Sequence, residues 1–137
     1  MSKVAVLDAG VVLTRLDATR RGAPEVDRLF RIAERVPGSL LLSTVNLAEV
    51  LEHSADYMKD TGIDIVALLE SMGVRFHSPD ASAARRAARL SRLSGLSLAD
   101  RFAVATAELL SARLHTSDRE LAAAVRRARL RVPVTFY

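Results

Sequence analysis

Short apolar runs alternate with longer segments of helical period along the 137 residues of the chain. Apolar runs bounded by turn residues are typical of strands buried in a parallel sheet. They predict five strands, at residues 4–7, 40–42, 74–77, 113–116 and 132–136. Alternation of strands and helices then predicts an α/β fold: a three-layer arrangement with a central, mostly parallel sheet and helices on both faces.

The segments of helical period lie between these strands. They predict helices at residues 10–20, 24–36, 62–72, 80–94 and 97–110, one running through Val50 and Leu51, and one from about Asp118. Thr44 or Asn46 is expected to begin the helix of Val50, and Asp80 and Ser97 are expected to cap the two that follow them. No repeat or break in composition interrupts the pattern, so residues 1–137 are predicted to form a single domain.

Composition narrows the chemistry and the compartment. The chain has no cysteine, which excludes disulfides and zinc–thiolate sites and suits a reducing cytoplasm. The apolar run at residues 4–7 ends at a charge and is too short for a secretory signal or a membrane span. We therefore expect a cytoplasmic protein with no membrane partner.

Four acidic residues fall where the predicted sheet would bind a ligand, beyond the carboxyl ends of its strands. Asp8 follows the first strand and Asp118 the fourth, while Glu49 and Asp100 lie early in helices. Each acid could be a helix cap by itself, with Ser97 and Asp100 as a capping box and Asn46 and Glu49 as a weaker one. Four carboxylates in one crevice repel one another, however, so their convergence predicts bound cations.

Four segments around these acids resemble the motifs of PIN-domain nucleases, in the same order and at ordinary spacing. They are VLDAGVVL at residues 6–13, NLAEVL at 46–51, LSLADRFAVATA at 96–107 and HTSDREL at 115–121. Size and layout resemble the VapC toxins of bacterial VapBC toxin–antitoxin pairs. The resemblance implies a PIN-like domain that is a Mg²⁺- or Mn²⁺-dependent ribonuclease, usually a homodimer, silenced by a small VapB-like antitoxin.

A metal-dependent nuclease site of this kind gives each acid an expected role, and the resemblance implies the products. Asp8 and Asp100 are expected to bind the metal directly, Asp118 directly or through water, and Glu49 as a ligand or as the group that orients the attacking water. Thr116 and Ser117 are expected to hydrogen-bond the carboxylates. The cleavage products would carry a 5′-phosphate and a 3′-hydroxyl.

The positive charge of the chain is concentrated in its second half. The net charge is +4, and residues 81–131 hold eleven arginines and four acids. As a group these arginines could follow an RNA backbone or pair with acidic groups of an antitoxin, although each alone is typical of a solvated helix face. The predicted RNA contacts are Arg85, Arg86, Arg89, Arg126 and Arg127.

One position departs from the family pattern. The residue two after the first Asp is often Ser, Thr or Asn, and here it is Gly10, which has no hydroxyl to offer. This leaves open a PIN-like module that binds RNA or a protein without cleaving. A nuclease that processes RNA without being a toxin is a second alternative.

Overall fold

The computed structural model describes residues 4–93 and 95–137, which contain five strands and eight α-helices. The strands are β1 (Ala5–Leu7), β2 (Leu40–Ser43), β3 (Val74–His77), β4 (Arg113–Thr116) and β5 (Val134–Phe136). Residues 1–3 and Ser94, at the predicted end of the helix 80–94, lie outside the described residues.

All five strands are parallel and lie in the order β3-β2-β1-β4-β5, with β1 at the centre. The register sets Val6 opposite Leu41 on one side and Leu114 on the other. The carboxyl ends of the strands therefore meet at one edge of the sheet. The α/β fold with a parallel sheet, predicted from the alternation of elements, is confirmed.

The helices cover both faces of this sheet. They are α1 (Ala9–Leu16), α2 (Ala23–Ala33), α3 (Thr44–His53), α4 (Ala55–Thr61), α5 (Ile65–Ser71), α6 (Ala81–Arg89), α7 (Leu98–Leu109) and α8 (Arg119–Arg127). Asp80 and Ser97 cap α6 and α7 as expected. A short 3-10 turn, Leu90–Arg92, follows α6.

Several predicted boundaries were wrong, for local reasons. Helix α1 ends at Leu16 rather than near residue 20, because the Asp17 carboxylate accepts hydrogen bonds from the Thr19 backbone and hydroxyl and closes a turn. Ser43, not Thr44 or Asn46, caps α3. Strand β5 begins at Val134, after Pro133, which has no N–H to give to the ladder.

The segment predicted as one helix at residues 62–72 is also different. It is the shorter helix α5, capped by Asp64, and an unpredicted helix, α4, precedes it. No residue of α4 is fully buried, and only Met58 packs against the core, so α4 carries no apolar stripe that a periodicity argument could detect. Gly62 ends α4 in a left-handed conformation, with φ 72°.

Two apolar cores form because successive strand residues point to opposite faces. Leu7, Leu40 and Leu42 pack beneath α1, α2, α3 and α5, while Val6 and Leu114 pack with α7 and α8. Among the described helices, none is both long and apolar enough to cross a membrane.

Leu114 tests the dependence of the fold on this packing. It is fully buried in β4, and Leu114→Ala is expected to lower the free energy of unfolding by about 2–5 kcal/mol, because a cavity replaces the side chain. The control is Leu109→Ala, at a position that is 50% exposed, with an expected change below about 1 kcal/mol. Denaturant unfolding measures both, and equal losses would contradict the assigned core.

Candidate active site

Asp8 is the most enclosed of the four acids, with 4% of its surface exposed. It follows β1 and caps α1, where its Oδ1 accepts a hydrogen bond from the Val11 N–H at 2.9 Å. Its Oδ2 accepts the hydroxyl hydrogen of Thr116, and its backbone N–H donates to the His115 carbonyl at 3.0 Å. The first strand and the fourth are therefore joined at the carboxylate itself.

Asp118 caps α8 on the other side of the same hydroxyl. Its backbone N–H donates to the Thr116 Oγ at 2.9 Å, and its Oδ1 accepts from the Glu120 and Leu121 N–H groups at 2.9 and 3.2 Å. Its Oδ2 accepts no hydrogen bond from the described residues. One carboxylate oxygen is thus free to face the crevice.

Asp100 forms a capping box with Ser97 at the start of α7. The Asp100 N–H donates to the Ser97 Oγ at 3.1 Å, and the Ser97 N–H donates to Asp100 Oδ2 at 3.2 Å. Its Oδ1 accepts no hydrogen bond from the described residues. The capping box therefore fixes the Asp100 carboxylate and leaves one of its oxygens without a hydrogen bond, as the cap of α8 does for Asp118.

Glu49 reaches the group from α3, and Asn46, one turn earlier, fixes the position of that helix. The Asn46 Nδ2 donates to the Ala99 carbonyl at 3.1 Å, next to Asp100 in sequence. Asn46 is 1% exposed, and its Oδ1 has no partner in the described part of the chain. The capping box suggested for Asn46 and Glu49 is wrong, because Asn46 lies inside α3. The role of Asn46 as the residue that joins α3 to α7 was not predicted from the sequence.

The four acids lie close enough together to repel one another electrostatically. Burial, followed by repulsion from Asp100 and Asp118, raises the pKa of Asp8 to about 6, although the bonds from Thr116 and Val11 oppose the rise. The pKa of Asp100 is raised by burial and by Asp118. Burial and Asp100 likewise raise the pKa of Glu49. Asp100 therefore interacts with all three other acids.

The donor chemistry of this crevice fits a hard cation. Its ligands are carboxylate oxygens, which Mg²⁺ and Mn²⁺ prefer, and the buried Asn46 Oδ1 is one more unpartnered oxygen. Among the described residues, no three acidic or histidine side chains surround a common point as they stand. Three of the four carboxylates direct one oxygen toward backbone N–H groups. The other oxygen, which in Asp8 also accepts the Thr116 hydroxyl, is the one that could bind an ion.

Ser117 occupies the space that Gly10 leaves open. A Cβ added to Gly10 would overlap the Ser117 Oγ, and the same Cβ would stand 3.5 Å from Asp8 Oδ1. The hydroxyl that the family pattern expects at position 10 is thus matched by one from the loop after β4. The pairing of a small residue with a serine 107 positions later could not be deduced from either motif alone.

The five arginines predicted to bind RNA lie on two helices, α6 and α8. Arg86 is engaged by Glu108, with an Arg86 Nη2 to Oε2 distance of 2.9 Å. Arg85 and Arg89 are exposed on α6. Arg126 and Arg127 are in the last turn of α8, about 12 Å along the helix axis from its cap, Asp118.

Comparison with known proteins identifies the family of this chain. The family model for the PIN domain matches residues 5–127. The chain belongs to the PIN domain family. Among curated proteins, no sequence matches this PIN domain.

Solved structures share the fold of this PIN domain at low sequence identity. A toxin–antitoxin complex from Klebsiella pneumoniae matches with a TM-score of 0.62 and 21% identity, over 87% of this chain and 90% of that one. VapC20 of Mycobacterium tuberculosis, a Sarcin-Ricin loop cleaving toxin, gives 0.66 and 15%, over 88% and 94%. VapBC2 from Rickettsia felis, bound to a DNA fragment from its promoter, gives 0.71 and 11%, over 98% of each chain.

Asp8→Asn tests the burial of the carboxylate in metal-free protein. The pKa of Asp8 is about 6 in the folded protein and 3.8 for a free carboxyl. Asp8 is therefore neutral and harmless to the fold below pH 4, and its ionisation lowers the stability of the fold as the pH rises through 6. Asn can still cap α1, so the variant is expected to be more stable than wild type at pH 8, by about 1–3 kcal/mol. Near pH 4 the difference should vanish.

Denaturant unfolding in EDTA at both pH values measures this difference. The control is Asp64→Asn, at the exposed cap of α5, with an expected change below about 0.5 kcal/mol. A gain that is the same at pH 4 and pH 8 would show that the buried charge is not its cause.

Gly10 and Ser117 are expected to be energetically coupled. In a Ser117→Ala background, Gly10→Ala should stabilise α1 by about 0.5–1 kcal/mol, because alanine is the better helix former. With Ser117 present, the new methyl must displace its hydroxyl, and the gain is expected to disappear. Unfolding of the four proteins gives the coupling, and additive effects would contradict the overlap.

Proposed function

We propose that this PIN domain is a metal-dependent endoribonuclease and the toxin of a toxin–antitoxin pair. The observation that carries the proposal is the electrostatic state of Asp8, a buried carboxylate whose pKa is raised by burial and by Asp100 and Asp118. Such a cluster opposes its own ionisation until a cation is present. A phosphodiester is itself anionic, so the same cation is needed before the phosphate to be cleaved can lie against the acids.

The ligands that we propose for Mg²⁺ or Mn²⁺ are Asp8, Asp100 and Asp118, the last directly or through water, with Glu49 as a ligand or as the group that orients water. When bound, the metal lowers the pKa of a water molecule and neutralises charge on the phosphate. Thr116 holds the Asp8 carboxylate by donating its hydroxyl hydrogen. Ser117 contributes the hydroxyl next to that carboxylate, above Gly10.

The reaction we propose is hydrolysis of the RNA backbone. The oxygen of a water molecule bonds to phosphorus, the bond from phosphorus to O3′ breaks, and O3′ takes up a proton. By the family resemblance, the products carry a 5′-phosphate and a 3′-hydroxyl. Glu49 could orient this water, because the hydrogen bond from Asn46 to the Ala99 carbonyl holds α3, and with it Glu49, beside Asp100. Burial also raises the pKa of Glu49.

The toxin role and its partners rest on the family and on the fold. The PIN model spans nearly the whole chain, and similar structures include a VapC toxin and two toxin–antitoxin assemblies. We therefore propose a small VapB-like antitoxin as the protein partner and a homodimer as the assembly. A non-cleaving module was suggested by the missing hydroxyl at position 10, and the Ser117 hydroxyl beside Gly10 weakens that argument.

Cleavage of an RNA panel with and without Mg²⁺ tests the proposed reaction. Asp8→Asn and Asp100→Asn are expected to reduce cleavage by about 100-fold or more, because charge stabilisation by the metal contributes several kcal/mol. The exposed helix cap Asp64→Asn is the matched control and should leave the rate unchanged. Cleavage that persists in EDTA, or in both site variants, would reject the proposal.

Titration calorimetry with Mn²⁺ separates binding from chemistry. Wild-type protein is expected to bind Mn²⁺ at millimolar concentration, whereas the two site variants should bind it at least about tenfold more weakly. Absence of Mn²⁺ binding by the wild-type protein would favour the non-cleaving module.

A further inference from the structure

A second cleft opens beside the acids, on the side of α8 and β5. Its volume is about 500 Å³, and three arginines line it together with Thr14, Ser117 and the rings of Phe136 and Tyr137. Ser117 and Arg119 flank Asp118 in sequence, and the Ser117 Oγ lies beside Gly10 near Asp8, so the cleft adjoins the acids. No acidic residue is among those that line it.

The three arginines come from two distant parts of the chain. Arg20 and Arg21 lie between α1 and α2, and Arg119 is the first residue of α8. All three are exposed, and none takes part in the ion pairs found among the described residues. Asp17 interacts electrostatically with Arg20, but this is the weakest of the causes that lower the pKa of Asp17. The charge of the cleft is therefore largely uncompensated.

Packing, rather than an ion pair, positions these arginines. Gly22, with φ 83°, approaches Tyr137 so closely that an added Cβ would stand 3.3 Å from it, and this brings the loop of Arg20 and Arg21 against the end of β5. Tyr137 is held in turn by a hydrogen bond of 2.7 Å between its hydroxyl and His115 Nδ1, and by stacking on that ring.

Arg119 is placed against the electrostatic preference of its helix. A cation at the first residue of α8 faces the positive end of the helix dipole, where acidic residues are favoured. Its guanidinium lies over the Phe136 ring, 5.9 Å from the centroid, which directs it into the cleft. Because the position of Arg119 is electrostatically unfavourable for α8, we expect its guanidinium to bind a partner that is absent from the free chain. An anion would be such a partner.

We propose that this basic cleft binds a backbone phosphate of single-stranded RNA, next to the phosphate at the acids, with Arg20, Arg21 and Arg119 as its ligands. The proposal rests on the proposed function, because it makes the cleft the neighbouring subsite of the same strand. Guanidinium groups suit phosphate, since their N–H donors match its oxygens in pairs. The Ser117 hydroxyl is available as a further donor, whereas that of Thr14 already donates to the Gly10 carbonyl at 2.8 Å.

An RNA strand fits this cleft better than an acidic protein segment does. The cleft adjoins the carboxylates, which repel the acidic groups of a polypeptide and also repel phosphates. A nucleic acid that is cleaved at the acids must nevertheless extend past them, and its neighbouring phosphate would then lie in the cleft. The rings of Phe136 and Tyr137 add flat surfaces against which an unpaired base can stack.

Fluorescence anisotropy of a labelled, mixed-sequence ten-nucleotide RNA tests the cleft. The titration is made in EDTA, so that neither cleavage nor metal affects it. Arg20→Ala/Arg21→Ala and Arg119→Gln are each expected to weaken binding about tenfold, and each lost phosphate contact should reduce the salt slope by about 0.7. The matched control is Arg28→Ala/Arg35→Ala, which removes two exposed charges that do not line the cleft and should change affinity less than about twofold.

Three results would overturn the proposal. The first is an equal loss in the control variant, which would mean a diffuse charge effect, and the second is no RNA binding by wild-type protein. The third is displacement of the RNA by polyglutamate of equal charge at equal concentration, which would assign the cleft to an acidic polypeptide. If instead RNA binds through the cleft but is not cleaved when Mg²⁺ is added, the proposed function is rejected and the proposal of an RNA-binding cleft is retained. Unchanged thermal unfolding of the variants verifies that they fold.

Discussion

The hydrogen bond from the Thr116 hydroxyl to the Asp8 carboxylate is the contact on which the rest of the acidic crevice depends. The parallel register of β1 and β4 brings these two residues together just past Leu7 and His115. The same hydroxyl accepts the Asp118 N–H, so one side chain fixes two acids. A buried carboxylate without such partners would be strongly unfavourable, and the helix caps of Asp8, Asp100 and Asp118 supply the remaining ones.

Much of the fold and the positions of the acids could be predicted from the sequence, because both follow from local patterns. Apolar runs such as residues 40–42 identify strands, and a parallel sheet brings the ends of its strands together whatever the loops do. The motif at residues 96–107 contains its own cap, so the position of Asp100 in the first turn of α7 is encoded within four residues. The two interpretations of these acids, as caps and as site residues, are compatible, since a cap uses one oxygen and leaves the other.

Features that depend on contacts between distant segments could not be predicted. Helix α4 packs against the core only through the partly buried Met58, and a single apolar contact leaves no periodic pattern in the sequence. Asn46 suggests a cap by its residue type, yet it lies within α3 because Ser43 precedes it with a suitable hydroxyl, and its amide bonds Ala99 instead. The match between Gly10 and Ser117, and the convergence of Arg21 with Arg119, exist only once the sheet has formed.

The central place of β1 has a consequence for how the protein is made. The first strand is synthesised early, but its neighbour β4 begins only at residue 113, and the acids of the crevice extend from Asp8 to Asp118. Contacts between residues so far apart in sequence form late, because a long loop must close before they are gained. A nascent chain therefore has no assembled crevice until most of its residues have left the ribosome. If the protein has the ribonuclease activity that we propose, this delay keeps the unfinished chain inactive beside the messenger RNA from which it is translated.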